Sequence, residues 1–292
     1  MRLAVPIHAI LIAIAIHILW GGNPVAVKFS LQAFPPLWTA FFRFLIGVVC
    51  VCIWARLNAL QIWPQRGEWR PLILICIIFT IQIGLMNIGY AYTDASMGAV
   101  LIATNPLFAA VFVHFLVDND RLTVQRSIGL GVAMLGTAVC LLKDVEPGSM
   151  SIGAIGNWIV LASAALLGLR LSVIARVVRN VHETRVAVWQ MLLSLPLFAC
   201  GGLMFETIVW ENIGWEPVAG ILYQGVVVAG LSFTVLYSLM KRYTPSVIMS
   251  FNFLSPVAGV LLAMWLLDEP FSGLLMIGMI LVAFGLVLIS RE

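Results

Sequence analysis

Any chemistry in this chain has to come from a small set of polar residues lodged in apolar runs. Arg43 and Arg170 place guanidiniums there, and Asn23, Gln82, Asn87, Tyr90, Asn105, Tyr237 and Asn252 place hydrogen-bonding groups in similar surroundings. A guanidinium in hydrocarbon costs at least about 2.5 to 3.5 kcal/mol on insertion scales unless water, carbonyls or an anion meet it. No Asp or Glu stands in the apolar cores to pair with either arginine. A bound carboxylate can be that partner, because the planar fork makes two hydrogen bonds that Lys does not reproduce. Arg43 lies roughly 10 Å inside its run at 1.5 Å per residue. Arg170 is close enough to the end of its own run to snorkel into the interface instead.

The run Trp20-Gly21-Gly22-Asn23-Pro24 weakens a helix, since Pro24 cannot donate to the Trp20 carbonyl and its ring crowds that turn. In lipid a freed carbonyl needs a partner, so this break is expected to face protein or a wet cavity; the plainer reading is close glycine packing with a kink. Gln82, Met86, Asn87 and Tyr90, at i, i+4, i+5 and i+8, form one polar face that should point inward. Asn252, Ser255, Pro256 and Gly259 form a second such group, and Gly230, Thr234 and Tyr237 a third. Hydrogen bonds between helices account for such residues as readily as substrate contacts do. His17 and His114 can carry protons, their unperturbed pKa being about 6.5, although a neutral buried histidine satisfied by a neighbour is commoner.

The elements that position these residues follow from composition. Of the 292 residues, 62% are hydrophobic and 10% charged, against roughly 25% charged in soluble domains. About 20 residues span the hydrocarbon layer, so ten spans fit with short loops and no soluble domain. Apolar runs separated by charged or Pro-rich breaks predict helices near 7–29, 36–56, 71–92, 97–117, 124–142, 152–175, 186–206, 217–240, 244–267 and 271–290. The long run from Ala4 to Trp20 has no polar, small-residue cleavage site behind it and reads as the first span, retained. The cysteines, Cys50, Cys52, Cys76, Cys140 and Cys200, fall within the runs without metal-ligand spacing and read as small apolar fillers. Trp63, Trp69, Trp210 and Trp215 lie near span ends as interfacial anchors.

With the N-terminus inside, Arg2, Arg56, Arg66, Arg70, Arg121, Arg126, Arg176, Arg179, Arg185, Lys241, Arg242 and Arg291 are cytoplasmic. Only Lys28 and Lys143 lie outside. That asymmetry is a strong positive-inside signal, so both termini are expected in the cytoplasm. The net charge of +3 therefore reports orientation in the membrane rather than a nucleic-acid partner.

The second half echoes the first. At an offset of 150 residues, Ser96 matches Ser246, Pro106 matches Pro256, Leu116 matches Leu266 and Asp118 matches Asp268. At 149, Asp120 meets Glu269, Gly129 meets Gly278 and Gly136 meets Gly285. An odd number of spans per copy makes this an inverted repeat, over 4–144 and 151–291 within one membrane domain of residues 1–292. Such symmetry is typical of secondary transporters, where exchanging the conformations of the halves alternates access.

Leu19-Trp20-Gly21-Gly22-Asn23-Pro24, then Lys28, Pro35-Pro36-Leu37 and Arg43-Phe44 together resemble the drug/metabolite transporter superfamily. More narrowly, the chain resembles EamA-type exporters, whose first repeat runs W-G-x-N, K, P-P-L and R-F at this spacing. The ends of both repeats agree: an acidic residue (Asp120, Glu269), then a helix with two glycines seven apart. The departures are Asp120 where the family usually has Glu, Leu167 where it often has Trp, and Arg170 at the position matching Asn23. The resemblance implies an all-α fold of ten transmembrane helices in two inverted five-helix repeats. It also implies a central cavity between the halves, the fifth and tenth helices at the periphery, and small-molecule substrates such as amino acids or their derivatives.

Trp20, Asn23, Arg43, Gln82, Asn87, Tyr90, Asn105, Arg170, Tyr237 and Asn252 are thus the candidate substrate-binding residues. The expected function is export or exchange across the inner membrane, without a cofactor or a nucleic-acid partner, by a monomer or homodimer in contact with lipid. The absence of a GxxxxGK[ST] loop argues against a built-in ATPase. The alternatives are a channel, which favours oligomeric rings, and a membrane enzyme acting on a lipid-linked substrate. An enzyme calls for a carboxylate pair, a metal cluster or a catalytic histidine near one face, and the acidic residues are instead scattered in loops.

Overall fold

The computed structural model describes residues 6–116, 124–142, 145–146, 149–243, 248, 250–270 and 272–290. Arg2, Asp118, Asp120, Arg121, Lys143, Ser246 and Arg291, used above, lie outside them, as do the side chains of His114, Leu116 and Arg126. The chain forms α1 (Ile7–Gly21), α2 (Asn23–Leu31), α3 (Pro36–Leu57), α4 (Trp69–Tyr92), α5 (Ala95–Ile102), α6 (Asn105–Leu116) and α7 (Val124–Leu141). After a two-residue antiparallel pair, β1 (Val145–Glu146) and β2 (Ser149–Met150), come α8 (Ile152–Val177), α9 (Glu183–Phe205) and α10 (Trp215–Leu222). A π-helical segment (Tyr223–Ser232) then leads into α11 (Phe233–Arg242), and α12 (Leu254–Leu266) and α13 (Gly273–Ser290) complete the bundle.

Among the described residues, seven helical stretches are long and apolar enough to cross a membrane: 7–31, 36–57, 69–92, 95–112, 152–177, 183–205 and 215–242. Three shorter apolar helices, 127–141, 251–266 and 273–289, accompany them. These fall on the stretches expected from hydropathy, so this is an all-helical, multi-pass membrane protein. Its outer surface carries large apolar side chains, among them Leu11, Ile53, Ile77, Leu203 and Phe284. Arginine, asparagine and glutamine side chains are buried inside it. This reverses the arrangement of a water-soluble domain and suits a bundle solvated by lipid.

The break in the first span lies at Gly22, between α1 and α2. The acceptor that another element reaches is the Leu19 carbonyl, one residue before the expected Trp20: it accepts from the Gly22 amide at 3.2 Å and also from the Tyr223 hydroxyl at 2.6 Å. Gly21 brings this kink against α12, since a Cβ there would lie 2.6 Å from the Ser255 carbonyl and 2.7 Å from Ala258 Cβ. Ser255 Oγ then donates to the His17 carbonyl at 2.8 Å.

The two peripheral-type helices, α7 and α13, pack chiefly against each other. Gly129 faces the Gly285 carbonyl and Gly136 faces the Gly278 carbonyl, with a hypothetical Cβ 2.9 and 2.7 Å from those oxygens. Only residues lacking a side chain allow two helix backbones this near.

At one end of the bundle, carboxylates occupy exposed helix N-termini, where the first amides have no partner within the helix. Glu206, following α9, accepts from the amides of Leu37 (2.9 and 3.0 Å) and Trp38 (3.2 Å) at the start of α3. Burial pushes the Glu206 carboxyl above its ordinary value, and the two amide bonds offset part of that rise. Glu269 accepts from Ala95 (2.6 Å) and Ser96 (3.0 Å) at the start of α5. Asp268, in the left-handed region at φ 52°, turns the chain immediately before it. At the opposite end Arg185 pairs with Glu68 at 2.7 Å and donates to the Gln61 carbonyl at 3.1 Å. Trp189 Nε1 donates to the Ile62 carbonyl beside it, at 2.7 Å.

The glycine contacts generate a stability prediction. Gly136→Leu is expected to cost about 1 to 3 kcal/mol by overpacking, read as a lower apparent Tm in detergent. Gly131→Ala on the same helix, where an added Cβ meets nothing within 4 Å, is expected to leave Tm unchanged or slightly raised.

Candidate functional site

A cavity of about 70 Å³ lies in the middle of the bundle, where the α1–α2 break meets α3, α4, α6, α8, the start of α11 and the turn Ser250–Phe253. Trp20 and Asn23 reach it from the first break, Arg43 from α3, and Gln82 and Tyr90 from α4. Asn105, Arg170 and Asn252 complete the polar part of the wall. Eight of the ten candidate residues therefore converge on one space.

Asn87 and Tyr237 do not. At about 100° per residue, Asn87 is turned about 60° beyond Tyr90 and further still from Gln82; its amide donates to the Pro36 carbonyl at 2.9 Å, tying α4 to the start of α3. Tyr237 lies one layer behind the wall. Its hydroxyl accepts from Gln190 Nε2 at 3.0 Å, and its ring stacks on Phe233, a wall residue, at 5.9 Å. Gly230, Thr234 and Tyr237 do not form the expected single face. Gly230, in the π segment, and Thr234, in the first turn of α11, line a different cavity, with the Thr234 hydroxyl bonded back to the Gly230 carbonyl at 2.9 Å. Tyr237, three residues on in the same α-helix, is turned about 60° from Thr234.

That second cavity, about 390 Å³, is bounded by α1, α3, the end of the π segment and α11. It is the larger, but its walls are mainly apolar and include Ile12, Trp54 and Leu231, which are exposed on the outer surface. Size alone does not make it the site, because none of its lining side chains carries a buried, unpartnered polar atom.

The central cavity is the opposite case. Buried polar groups are almost always hydrogen-bonded, yet nine of the thirteen buried, unpartnered side-chain atoms among the described residues belong to its lining. They are Nε and Nη1 of both Arg43 and Arg170, Trp20 Nε1, Asn23 Oδ1, Gln82 Oε1, Tyr90 Oη and Asn105 Oδ1. Gln82 turns its other amide atom to Ser163 of α8 at 2.9 Å, so its carbonyl is held towards the space rather than swinging freely. His17 sits behind Trp20, edge-on to it at 5.9 Å, with Nδ1 against the Ala13 carbonyl at 2.7 Å.

Both arginines are at most 2% exposed, and each rests on aromatic rings. Arg43 Cζ is 4.8 Å from the Phe44 centroid; Arg170 Cζ is 4.8 Å from Phe79 and 5.7 Å from Phe233. Phe44 and Phe79 are themselves 4.6 Å apart, so two cations share one aromatic floor. A cation–π contact contributes about 0.5 to 2 kcal/mol, whereas burying an ion costs several kcal/mol after relaxation. The rings offset part of that cost and leave the N–H groups unmet. No carboxylate lines the cavity among the described residues. Sequence reasoning missed Phe79 and Phe233, which come from separate helices and look like ordinary core aromatics in each.

The EamA-like transporter family model matches this chain twice, over residues 7–142 and again over 154–291. The chain belongs to the EamA-like transporter family. Among EamA-like and related proteins it is 27% identical to the uncharacterized transporter YvbV of Bacillus subtilis, covering 97% of this chain and 92% of that one. It is 20% identical to the uncharacterized transporter YoaV of the same organism (94% and 93%). It is 24% identical to a probable amino-acid metabolite efflux pump of Escherichia coli (94% and 92%). A solved crystal structure superposes with a TM-score of 0.72 at 20% identity over 96% of each chain, so the EamA-like chain shares its fold.

Guanidiniums that find no hydrogen-bond partner in the protein do not stabilise the fold of this EamA-like protein. Arg43→Met and Arg170→Met are each expected to raise the apparent Tm in detergent, as removing a buried unpaired charge does. A lower Tm for both would show that the aromatic contacts alone make the arginines stabilising.

Proposed function

We propose that the protein is a secondary transporter that exports or exchanges small polar metabolites, such as amino acids or their derivatives, by alternating access in a bacterial inner membrane. One observation carries this reading: the polar wall of a single central cavity is drawn from both family-matched halves. Trp20, Asn23, Arg43, Gln82, Tyr90 and Asn105 come from the first, and Arg170 and Asn252 from the second. The name of the E. coli relative, a probable amino-acid metabolite efflux pump, agrees with the substrate class, and an inner-membrane transporter, YedA of E. coli, is also related.

In this reading the ten apolar helical stretches are ten crossings, arranged as two inverted repeats of five. The twofold match to the family model supports it. So does the crossing of α7 and α13, in which Gly129 faces Gly285 and Gly136 faces Gly278, so that the two pairs of glycines seven apart meet in reversed order. Motion of one half against the other opens the cavity to alternate sides. The Glu206 and Glu269 caps close the end we assign to the outside, because each holds an element of one half onto the other. The Arg185–Glu68 pair and the Trp189–Ile62 bond close the end assigned to the cytoplasm. Opening either end requires giving up those contacts, which costs little where water replaces them.

Three measurements follow. Asn23→Ala, Tyr90→Phe and Asn252→Ala are each expected to lower exchange in proteoliposomes at least several-fold while membrane abundance is preserved. Wild-type exchange by all three would move the site elsewhere. In a cysteine-free background, Cys at Asn212 is expected to react with an impermeant thiol reagent in intact cells and Cys at Arg179 to be protected; the reverse would invert the topology. Glu206→Gln keeps the shape of the outer cap but loses its charge, and is expected to raise the rate at which Cys at Asn23 is labelled from outside several-fold. An unchanged rate would show that this cap is not part of the closure.

A further inference from the structure

The fixed charge of the central cavity identifies more than a polar substrate. Arg43 and Arg170 are two permanent cations on its wall, since a guanidinium does not deprotonate under physiological conditions. They stand on separate rings of one aromatic floor and repel one another, and no carboxylate joins them among the described lining residues. A neutral or zwitterionic occupant leaves the site at +2, and a single carboxylate leaves it at +1. Only an occupant of net charge −2 brings it to neutrality; an acidic amino acid leaves it at +1 but still offers a carboxylate to each guanidinium.

Shape points the same way. Nε and Nη1 of each arginine lack partners, so there are two unsatisfied donor groups on two side chains rather than one. The amide oxygens of Asn23, Gln82 and Asn105 are unpartnered acceptors in the same wall. They can receive hydrogen bonds from a hydroxyl or ammonium group but supply no countercharge.

We infer that the site selects small dicarboxylates of four or five carbons, including acidic amino acids, with one carboxylate on Arg43 and the other on Arg170. This rests on the transport reading for its location but not for its test. In such a complex each guanidinium gains charge-assisted bonds that no protein group supplies, and the amide oxygens hold the amino or hydroxyl substituent where there is one.

The probes are succinate, glutarate, aspartate and glutamate, each against its monoamide, which keeps the size and removes one charge. Binding is measured on purified protein in detergent by ligand-induced shift in Tm and by titration, and counterflow is measured separately in proteoliposomes. At least one of the four acids is expected to bind ten-fold or more tightly than its monoamide. In Arg43→Gln and in Arg170→Gln that preference is expected to fall below about three-fold. Arg→Lys at either position, which keeps the charge but not the fork, is expected to give an intermediate value and guards against misfolding of the glutamine variants. Equal binding of acid and monoamide, a preference that survives both glutamine substitutions, or no binding by any of the four acids would overturn the inference. Tight, charge-selective binding without counterflow would leave the inference standing and remove the transport reading. Counterflow of neutral or cationic compounds with no preference for the acids would do the reverse.

Discussion

A hydrogen-bonding group without a partner is more costly in hydrocarbon than in water, and the organisation of this protein follows from that constraint. The main chain meets it by being helical almost throughout. Where the helix is interrupted, another element supplies a contact: the Tyr223 hydroxyl at the Leu19 carbonyl, and carboxylates at the amides that open α3 and α5. The apolar side chains turn outward, leaving the polar ones to find each other inside. Most do so, as the Gln82–Ser163 and Gln224–Ser30 bonds illustrate.

The central cavity is where the constraint is left unmet. Its unpartnered atoms are not scattered through the bundle but gathered around one small space, with two guanidiniums among them. Folding alone gains nothing from such an arrangement. The aromatic floor of Phe44, Phe79 and Phe233 makes it tolerable by presenting negative ring faces to cations, without removing any N–H from the space. A ligand that supplies the partners the protein does not couples its binding to the conformational energy of the bundle.

The contacts at the two ends differ in kind from the packing between them. Glycine crossings such as Gly136 on Gly278 bring backbones together over a broad area and resist separation. The end contacts are single carboxylates, one ion pair and one indole N–H, and separating them lets water replace each bond. A bundle held firmly at its helix crossings and lightly at its ends is suited to movements that open one end at a time.

The helical stretches were legible from the sequence because burial in lipid demands long apolar runs, and those need no knowledge of what packs against them. The likeness to the family, the weak point at Gly22–Pro24 and the anomaly of Arg43 and Arg170 were legible for the same reason: each is a local violation of the apolar rule. Gln82 and Tyr90 could be placed on an inward face by helical period alone, but Asn87 could not be separated from them without the actual angle at which α4 meets α3. The π segment also escaped sequence reading, because a wider turn is set by what the backbone packs against. So did the separation of Gly230 and Thr234 from Tyr237, because helical period does not say which neighbour each side of a helix meets. Tertiary structure alone decided that Arg43 and Arg170, over a hundred positions apart, stand on one aromatic floor without a carboxylate between them. A sequence specifies which groups must be kept from lipid, whereas which of them share a space depends on how helices distant in the chain cross.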